Sequence, residues 1–356
     1  MKKILAIVLV MVLALVLVAC GGEPAPSNDK IKVVYIVNGT LGDKSFFDSG
    51  KEGFDMINKD FGDKVETKIV ELTYDKTKWE TGTKDVVAEG YDIVIAGTWD
   101  MKGYIEELAP QYPETKFWFF DESWSFDDGH NDANVYGMLF AQNEGSYIVG
   151  MAAAMTSKTG KVAFMGGMSN TVLKDFFVGY YEGAKSVNPD IEVKATWTDS
   201  FNDSTLGKTT ATGLYQQGFD VVFSCCGACG LGAFDAVIEA TDCYVIGVDG
   251  DQAAYFAANG AQDKADRTVT SMEKRVKNGF YDAMKRHLDG TLPYGTNEYL
   301  GLAKDCVAAS TSTILTEEQV AKLDEAKAKI VSGEIKVGTA FDMSEEEYAK
   351  YENGTK

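Results

Sequence analysis

The residues best equipped for chemistry in this 356-residue chain recur at one kind of place, just past short apolar runs. Asn38, Gly39, Gly42, Asp43 and Lys44 follow Ile31–Val37, and Trp99 follows Ile93–Gly97. Asp121 closes the run 116–121, and Gly166 and Gly167 follow 161–165. Gly227 and Gly230 come after 220–225, and Asp249 and Asp251 after 243–248. Carboxylates and amides exchange hydrogen bonds with hydroxyl and amine groups. Glycine lets a ligand approach backbone N–H groups closely. Such a set suits holding a small molecule better than making or breaking bonds.

Reactive combinations are missing from the sequence. The run Gly227-Ala-Cys-Gly230-Leu-Gly232 opens a helix and could hold an anion. It is not G-x-G-x-x-G, however, and it lacks the lysine of a phosphate-binding loop. The acidic loops nearby would repel phosphate. No G-x-S-x-G elbow occurs, and the two histidines, His130 and His287, offer no triad. Asp127 and Asp128 sit in a polar stretch and read as solvated surface. Cys225, Cys226 and Cys229 form C-C-x-x-C, a spacing that can suggest metal, but no histidine lies nearby in sequence. Small residues in a tight loop after a buried strand are the preferred reading. No metal, no cofactor and no enzymatic activity are expected.

Elements of alternating type must position these loops. Ile31–Val37 is a continuous apolar run, as a buried parallel strand requires. The stretch 45–61 then places apolar or small residues at 46, 50, 53, 54, 57 and 61, a helical spacing. Strands at 65–72, 93–97, 116–121 and 135–140 alternate with helices at 79–88 and 101–109, and a helix follows at 144–157. The cycle restarts with strands at 161–165, 192–198, 220–225 and 243–248 and helices at 171–187, 203–217 and 231–240. A strand at 267–272, a helix at 273–288, two short strands near 297–309 and a helix at 316–332 complete it. Two successive βαβα runs predict two doubly wound parallel-sheet lobes, whose ligands sit beyond the strands' carboxyl ends. The first lobe is expected to comprise 31–138 plus about 267–300. The second is expected to comprise 139–266 plus about 301–340.

Composition bounds the partners. The net charge is −20 and arginine occurs only at 267, 275 and 286, which excludes a nucleic-acid binder and argues against an anionic ligand. Loop carboxylates and aromatics point to a neutral, hydroxylated, planar one. Stacking contributes about 1–3 kcal/mol per base, and a hydrogen bond to a charged group about 1.5–3 kcal/mol. Two stacking faces and three such bonds reach micromolar affinity, about −8 kcal/mol, after ordering costs.

At the N-terminus, Lys2 and Lys3 precede an uncharged run from Ile4 to Ala19, a secretory signal too short for a spanning helix. It ends in Leu17-Val18-Ala19-Cys20, which looks like a bacterial lipobox. Residues 1–19 are thus expected to be removed and Cys20 to carry lipid. Residues 20–30 are expected to form a flexible tether.

Several motifs resemble the basic membrane protein family, whose members include purine nucleoside receptor lipoproteins. They are Lys161-Val-Ala-Phe-Met-Gly-Gly-Met168, Asn143-Glu-Gly-Ser-Tyr147, Thr156-Ser-Lys-Thr-Gly160 and Asn188-Pro-Asp190. Ser200-Phe-Asn-Asp203 with Gly207-Lys208, Val245-Ile-Gly-Val-Asp-Gly-Asp-Gln252 and Thr270-Ser-Met-Glu-Lys-Arg-Val276 extend the match over about 31–310. The resemblance implies a type I periplasmic-binding-protein fold with a ligand cleft between hinged lobes. It also implies delivery of nucleosides to an ABC permease at the extracytoplasmic face; a monomer is expected, and the alternatives are a sugar or another small neutral metabolite as ligand, or a sensor that presents ligand instead of feeding a transporter. By resemblance the first ligand loop is Asn38 to Phe47, Phe46 stacks on the base, Asp121 faces the ligand, and Asp249 holds ribose hydroxyls with Lys274 beside it. Trp99, Trp124, Phe176 and Phe201 are candidates for the second stacking face. The residues alone leave other readings open: Phe46 and Trp99 as core, Asp43 and Asp249 as caps, Lys274 as a solvated helix start. The sequence departs from the family at Asn38, commonly Asp, and at Phe47, commonly Asn. Its first turn is one residue shorter, and Trp99-Asp100 and the Cys225–Cys229 loop replace glycine-rich versions.

Overall fold

The computed structural model describes residues 30–126, 129 and 132–356. The signal and Cys20 therefore lie outside the described residues, as do Asp127, Asp128 and His130. Two six-stranded sheets form the frame. The first uses β1 (Ile31–Val37), β2 (Val65–Glu71), β3 (Ile93–Gly97), β4 (Lys116–Phe120) and β5 (Val135–Phe140), with β11 (Thr296–Leu300) on its edge. Its order is β11-β5-β4-β3-β1-β2. The second uses β6 (Lys161–Gly166), β7 (Glu192–Trp197), β8 (Val221–Cys225), β9 (Tyr244–Val248), β10 (Thr268–Lys274) and β12 (Val307–Ala309). Its order is β12-β10-β9-β8-β6-β7, parallel except for the β10–β12 pair.

Alternation along each strand feeds two apolar layers per sheet. From β1, Val33, Tyr35 and Val37 face the inner helices, while Val34 and Ile36 face the outer ones. The inner layer of the first sheet is closed by α1 (Phe46–Phe61) and α10 (Val276–Leu288), through Phe54, Ile57, Phe280 and Met284. The outer layer is closed by α2 (Trp79–Ala88) and α3 (Lys102–Leu108). On the second sheet, α4 (Gln142–Thr156) and α5 (Thr171–Val187) cover the inner face, and α6 (Ser204–Gln216) and α7 (Gly227–Val237) the outer. Helices α4 and α5 approach so closely that a Cβ on Gly179 would lie 2.1 Å from the Asn143 carbonyl oxygen. One on Gly183 would lie 2.0 Å from that of Tyr147.

The chain passes between the sheets after β5, after β10 and after β11. The stretch 267–274, expected in the first lobe, pairs with β9 and β12 and belongs to the second sheet. Only α10 and β11 return to the first. Four short or late helices were not anticipated: α8 (Gln252–Ala258), α9 (Gln262–Ala265), a short turn of helix at Ala340–Asp342, and α12 (Glu345–Glu352), which follows α11 (Glu317–Val331). Tyr348 and Tyr351 of α12 pack edge-on against Phe177 and Tyr181 of α5, which extends the second lobe past residue 340. Among the described residues no helix is long and apolar enough to cross a membrane.

Candidate functional site

In each sheet the strand order reverses beside the first strand of its lobe, β1 or β6, which opens a crevice at the carboxyl ends. The two crevices face one another across a cavity of about 250 Å³. Asn38, Asp43, Phe46, Trp99, Asp121, Gly227, Asp249 and Lys274 all line it.

Backbone geometry marks the same place. Thr73, Thr98, Asp121, Asp199 and Asp249 have φ between 52° and 73°. Each lies within two residues of the end of a strand, respectively β2, β3, β4, β7 and β9. Non-glycine residues rarely adopt this conformation, and such strain concentrates at ligand-holding sites.

Lys274 is the electrostatic centre. It ends β10 and is 2% exposed, so it is no solvated helix start; α10 begins two residues later. Its ammonium donates to Asp121 at 2.5 Å across the lobes. The same ammonium lies 4.6 Å from the Phe176 ring centroid and 5.7 Å from that of Phe46. A buried ammonium needs such partners, because the interior would otherwise favour its neutral form. Asp249 is also buried and accepts from the Ser45 hydroxyl of the first lobe. Desolvation raises its carboxyl to about 7, although Lys274 pulls the other way. Burial likewise raises Asp121, opposed by Lys274.

Asp43 plays a different part from its neighbours. Its carboxylate accepts from the backbone N–H groups of Ser45 (3.0 Å), Phe47 (2.9 Å) and Asp48 (3.1 Å). It is a structural cap on the start of α1 that also shows an edge to the cavity. Asn38 donates its side-chain amide to the Thr98 hydroxyl at 3.0 Å, joining the loops after β1 and β3. Phe47 fills the space a Cβ on Gly39 would need, 2.3 Å from its ring.

The aromatics divide into rim and wall. Phe46 stacks on Phe120 at 5.5 Å and 24°, while remaining part of the cavity lining. Phe176 of α5 and Phe201 line the opposite lobe's side. Trp99 is 37% exposed at the rim, and the Lys76 ammonium covers its ring at 5.0 Å. Trp124 is not in the cavity: it is buried against Phe119, with its indole N–H donating to Asp132.

Two expected residues stand elsewhere. Lys44 points into a separate groove, 3.6 Å from Asp48 and 5.8 Å from the Tyr255 ring centroid. Gly230 packs beneath the loop, where a Cβ would meet the Ser224 hydroxyl at 2.5 Å. Conversely, Tyr74, Lys76, Asn170, Asp199, Ser200 and Asn202 line the cavity without having been anticipated. Five of them follow the edge strands β2 and β7, so the carboxyl-end rule applied there would have found them. Asn170 caps α5 through its carbonyl oxygen, and its amide nitrogen is buried without a partner. The three clustered thiols do not converge. Cys225 lines the cavity, whereas Cys226 and Cys229 sit in the outer apolar layer.

Two doubly wound lobes linked by three crossings, with a polar and aromatic cavity between them, define a solute-binding protein of the periplasmic type. A sequence model of the family described as ABC transporter substrate-binding protein PnrA-like matches residues 30–340, and the chain belongs to that family. It is 32% identical to the CD4+ T-cell-stimulating antigen of Listeria innocua, over 94% of this chain and 98% of that one. It is 31% identical to the ABC transporter nucleoside-binding protein BmpA of Lactococcus lactis, over 95% and 99%. A solved ABC transporter solute-binding protein from Aeropyrum pernix superposes with a TM-score of 0.78 at 26% identity, covering 91% of this chain and 98% of that one.

Proposed function

We propose that this protein is the nucleoside receptor of an ABC importer, with purine nucleosides as its foremost ligands. In this reading it works as a monomer at the extracytoplasmic face of the cell membrane, held there by lipid on Cys20, and hands its ligand to the permease. The observation that carries the ligand class is the arrangement around Lys274. Two aromatic rings, Phe46 and Phe176, flank one ammonium that is itself paired with Asp121, and Asp249 lies in the same wall. The rings offer faces to a base, and the carboxylates accept from ribose hydroxyls. The unpaired Asn170 amide offers a donor to a ring nitrogen. Purines are favoured over pyrimidines because stacking grows with the apolar area covered. The name of the Lactococcus lactis relative supports the same ligand class.

Titration calorimetry with adenosine, guanosine, inosine, uridine and cytidine tests the proposal. Micromolar binding of at least one purine nucleoside is expected. No heat from any of them at millimolar concentration would sink the nucleoside reading, and displacement by free ribose would move it to a sugar.

A further inference from the structure

Cys226 and Cys229 lie behind the ligand cavity and do not line it. Cys226 is the N-cap of α7 and Cys229 its third helical residue. An N-cap side chain folds back over that third position. The same relation is realised twice elsewhere in this chain, by Thr316 with Gln319 and by Ser344 with Glu347, where both reciprocal hydrogen bonds form. At α7 the two positions carry thiols and no side-chain cap forms; the Cys229 thiol donates instead to the Thr198 hydroxyl at 3.7 Å. Both cysteines belong to the same apolar cluster, and both are free thiols here.

We propose that Cys226 and Cys229 are a redox-active dithiol that closes reversibly to an intraloop disulfide. The neighbouring Cys226 and the Thr198 hydroxyl lower the Cys229 thiol against the effect of burial, and a position in the first turn of a helix favours a thiolate in the same sense. Cys226 keeps its proton, pushed up by the adjacent Cys229 and by burial. The Cys229 thiolate attacks one sulfur of a low-molecular-weight disulfide, forming a mixed disulfide and expelling one thiolate. Cys226 then loses its proton and attacks the Cys229 sulfur, expelling the second thiolate. Two protein thiols are oxidised and one external disulfide is reduced to two thiols.

Both sulfurs are fully buried, so the step needs a local opening. The Cys229 N–H donates to the Phe201 carbonyl at 3.0 Å, and Gly207 passes the Cys229 sulfur with room for no side chain. Phe201, Gly227 and Ala228 line the ligand cavity, so the bond would form directly behind a binding wall. Cys225 is unsuited to the same chemistry because burial and Asp249 push its thiol well up.

The test incubates the purified mature protein with oxidised glutathione at pH 7.5, blocks remaining thiols after unfolding, and maps them by mass spectrometry. A 226–229 disulfide that reduced glutathione reverses is expected. The C243S/C306S double variant should form it equally, and C226S should instead trap a glutathione adduct on Cys229. Full alkylation of both thiols after oxidation, or a disulfide mapped to another pair, overturns the proposal. This outcome does not depend on the nucleoside reading, which the calorimetry decides separately.

Discussion

Asp249 combines an unusual backbone conformation, burial and a hydrogen bond from the opposite lobe. A carboxylate held so firmly is already oriented before ligand arrives, which limits the ordering cost of binding. Replacing Asp249 with Ala should weaken purine nucleoside affinity more than tenfold, a loss above about 1.4 kcal/mol. The circular dichroism spectrum should stay that of the parent. Unchanged affinity would remove Asp249 from the site.

The same side chain ties stability to pH. Asp249 is raised to about 7 and Asp175, buried under the Ala340 N–H and the Gln142 amide, to about 6. Between an unfolded carboxyl value of about 4 and these folded values, the native state binds more protons than the unfolded chain, so stability falls as pH rises. Glu298 is lowered to about 2 by Arg286, Tyr136 and Lys304, and it acts in the opposite sense only below about pH 4.5. Thermal melting of the ligand-free protein should therefore give a lower Tm at pH 8 than at pH 5.5. Asp249→Asn should flatten that difference; an unaltered slope would mean that Asp249 is not the group responsible.

Glycines illustrate the element scale, because the same substitution should have opposite signs at two helical sites. Gly179 of α5 faces the α4 backbone at 2.1 Å, so Gly179→Ala must separate two packed helices and should cost about 1–3 kcal/mol. Gly213 of α6 has open space around its missing Cβ, so Gly213→Ala should stabilise by about 0.5–1 kcal/mol. Urea unfolding of the two variants checks both signs, and equal effects would refute the packing account.

Elements were legible where burial patterns were strong, as in β1, whose five residues from Val33 are at most 1% exposed. The loops past strand ends were legible too, because parallel-sheet topology assigns them a common side. What sequence missed has physical causes. Lys274 lines the cavity as the resemblance implied, but its pairing with Asp121, 153 residues away, is a contact that no local pattern encodes. Gly230 was read as loop, but α7 begins earlier, at Gly227, and buries it. Lobe membership of 267–274 depends on pairing with β9, a contact between distant parts of the chain that local periodicity does not encode.

At the scale of the whole molecule, the polar contacts that join the lobes across the cleft include Ser45 with Asp249, Lys274 with Asp121 and Lys44 over Tyr255. Closure around a ligand would be held by these groups and by the ligand itself. The proposed function adds an attachment through lipid on Cys20, outside the described residues. Cys20→Ser should release the mature protein from washed membranes into the soluble fraction with its nucleoside affinity unchanged. Continued membrane retention would show that something other than this residue holds it.

The three crossings between lobes also bear on the order in which the molecule can be completed. A chain that emerges from its N-terminus first presents β1 to β5 early, yet the strand that seals their sheet, β11, ends only at Leu300. The second sheet waits longer still, for β12 at Val307–Ala309. Neither lobe can finish before the other has largely been made. A nascent or secreted fragment ending before residue 296 would expose two unfinished sheet edges at once, and that shared lateness makes the protein's assembly one event instead of two.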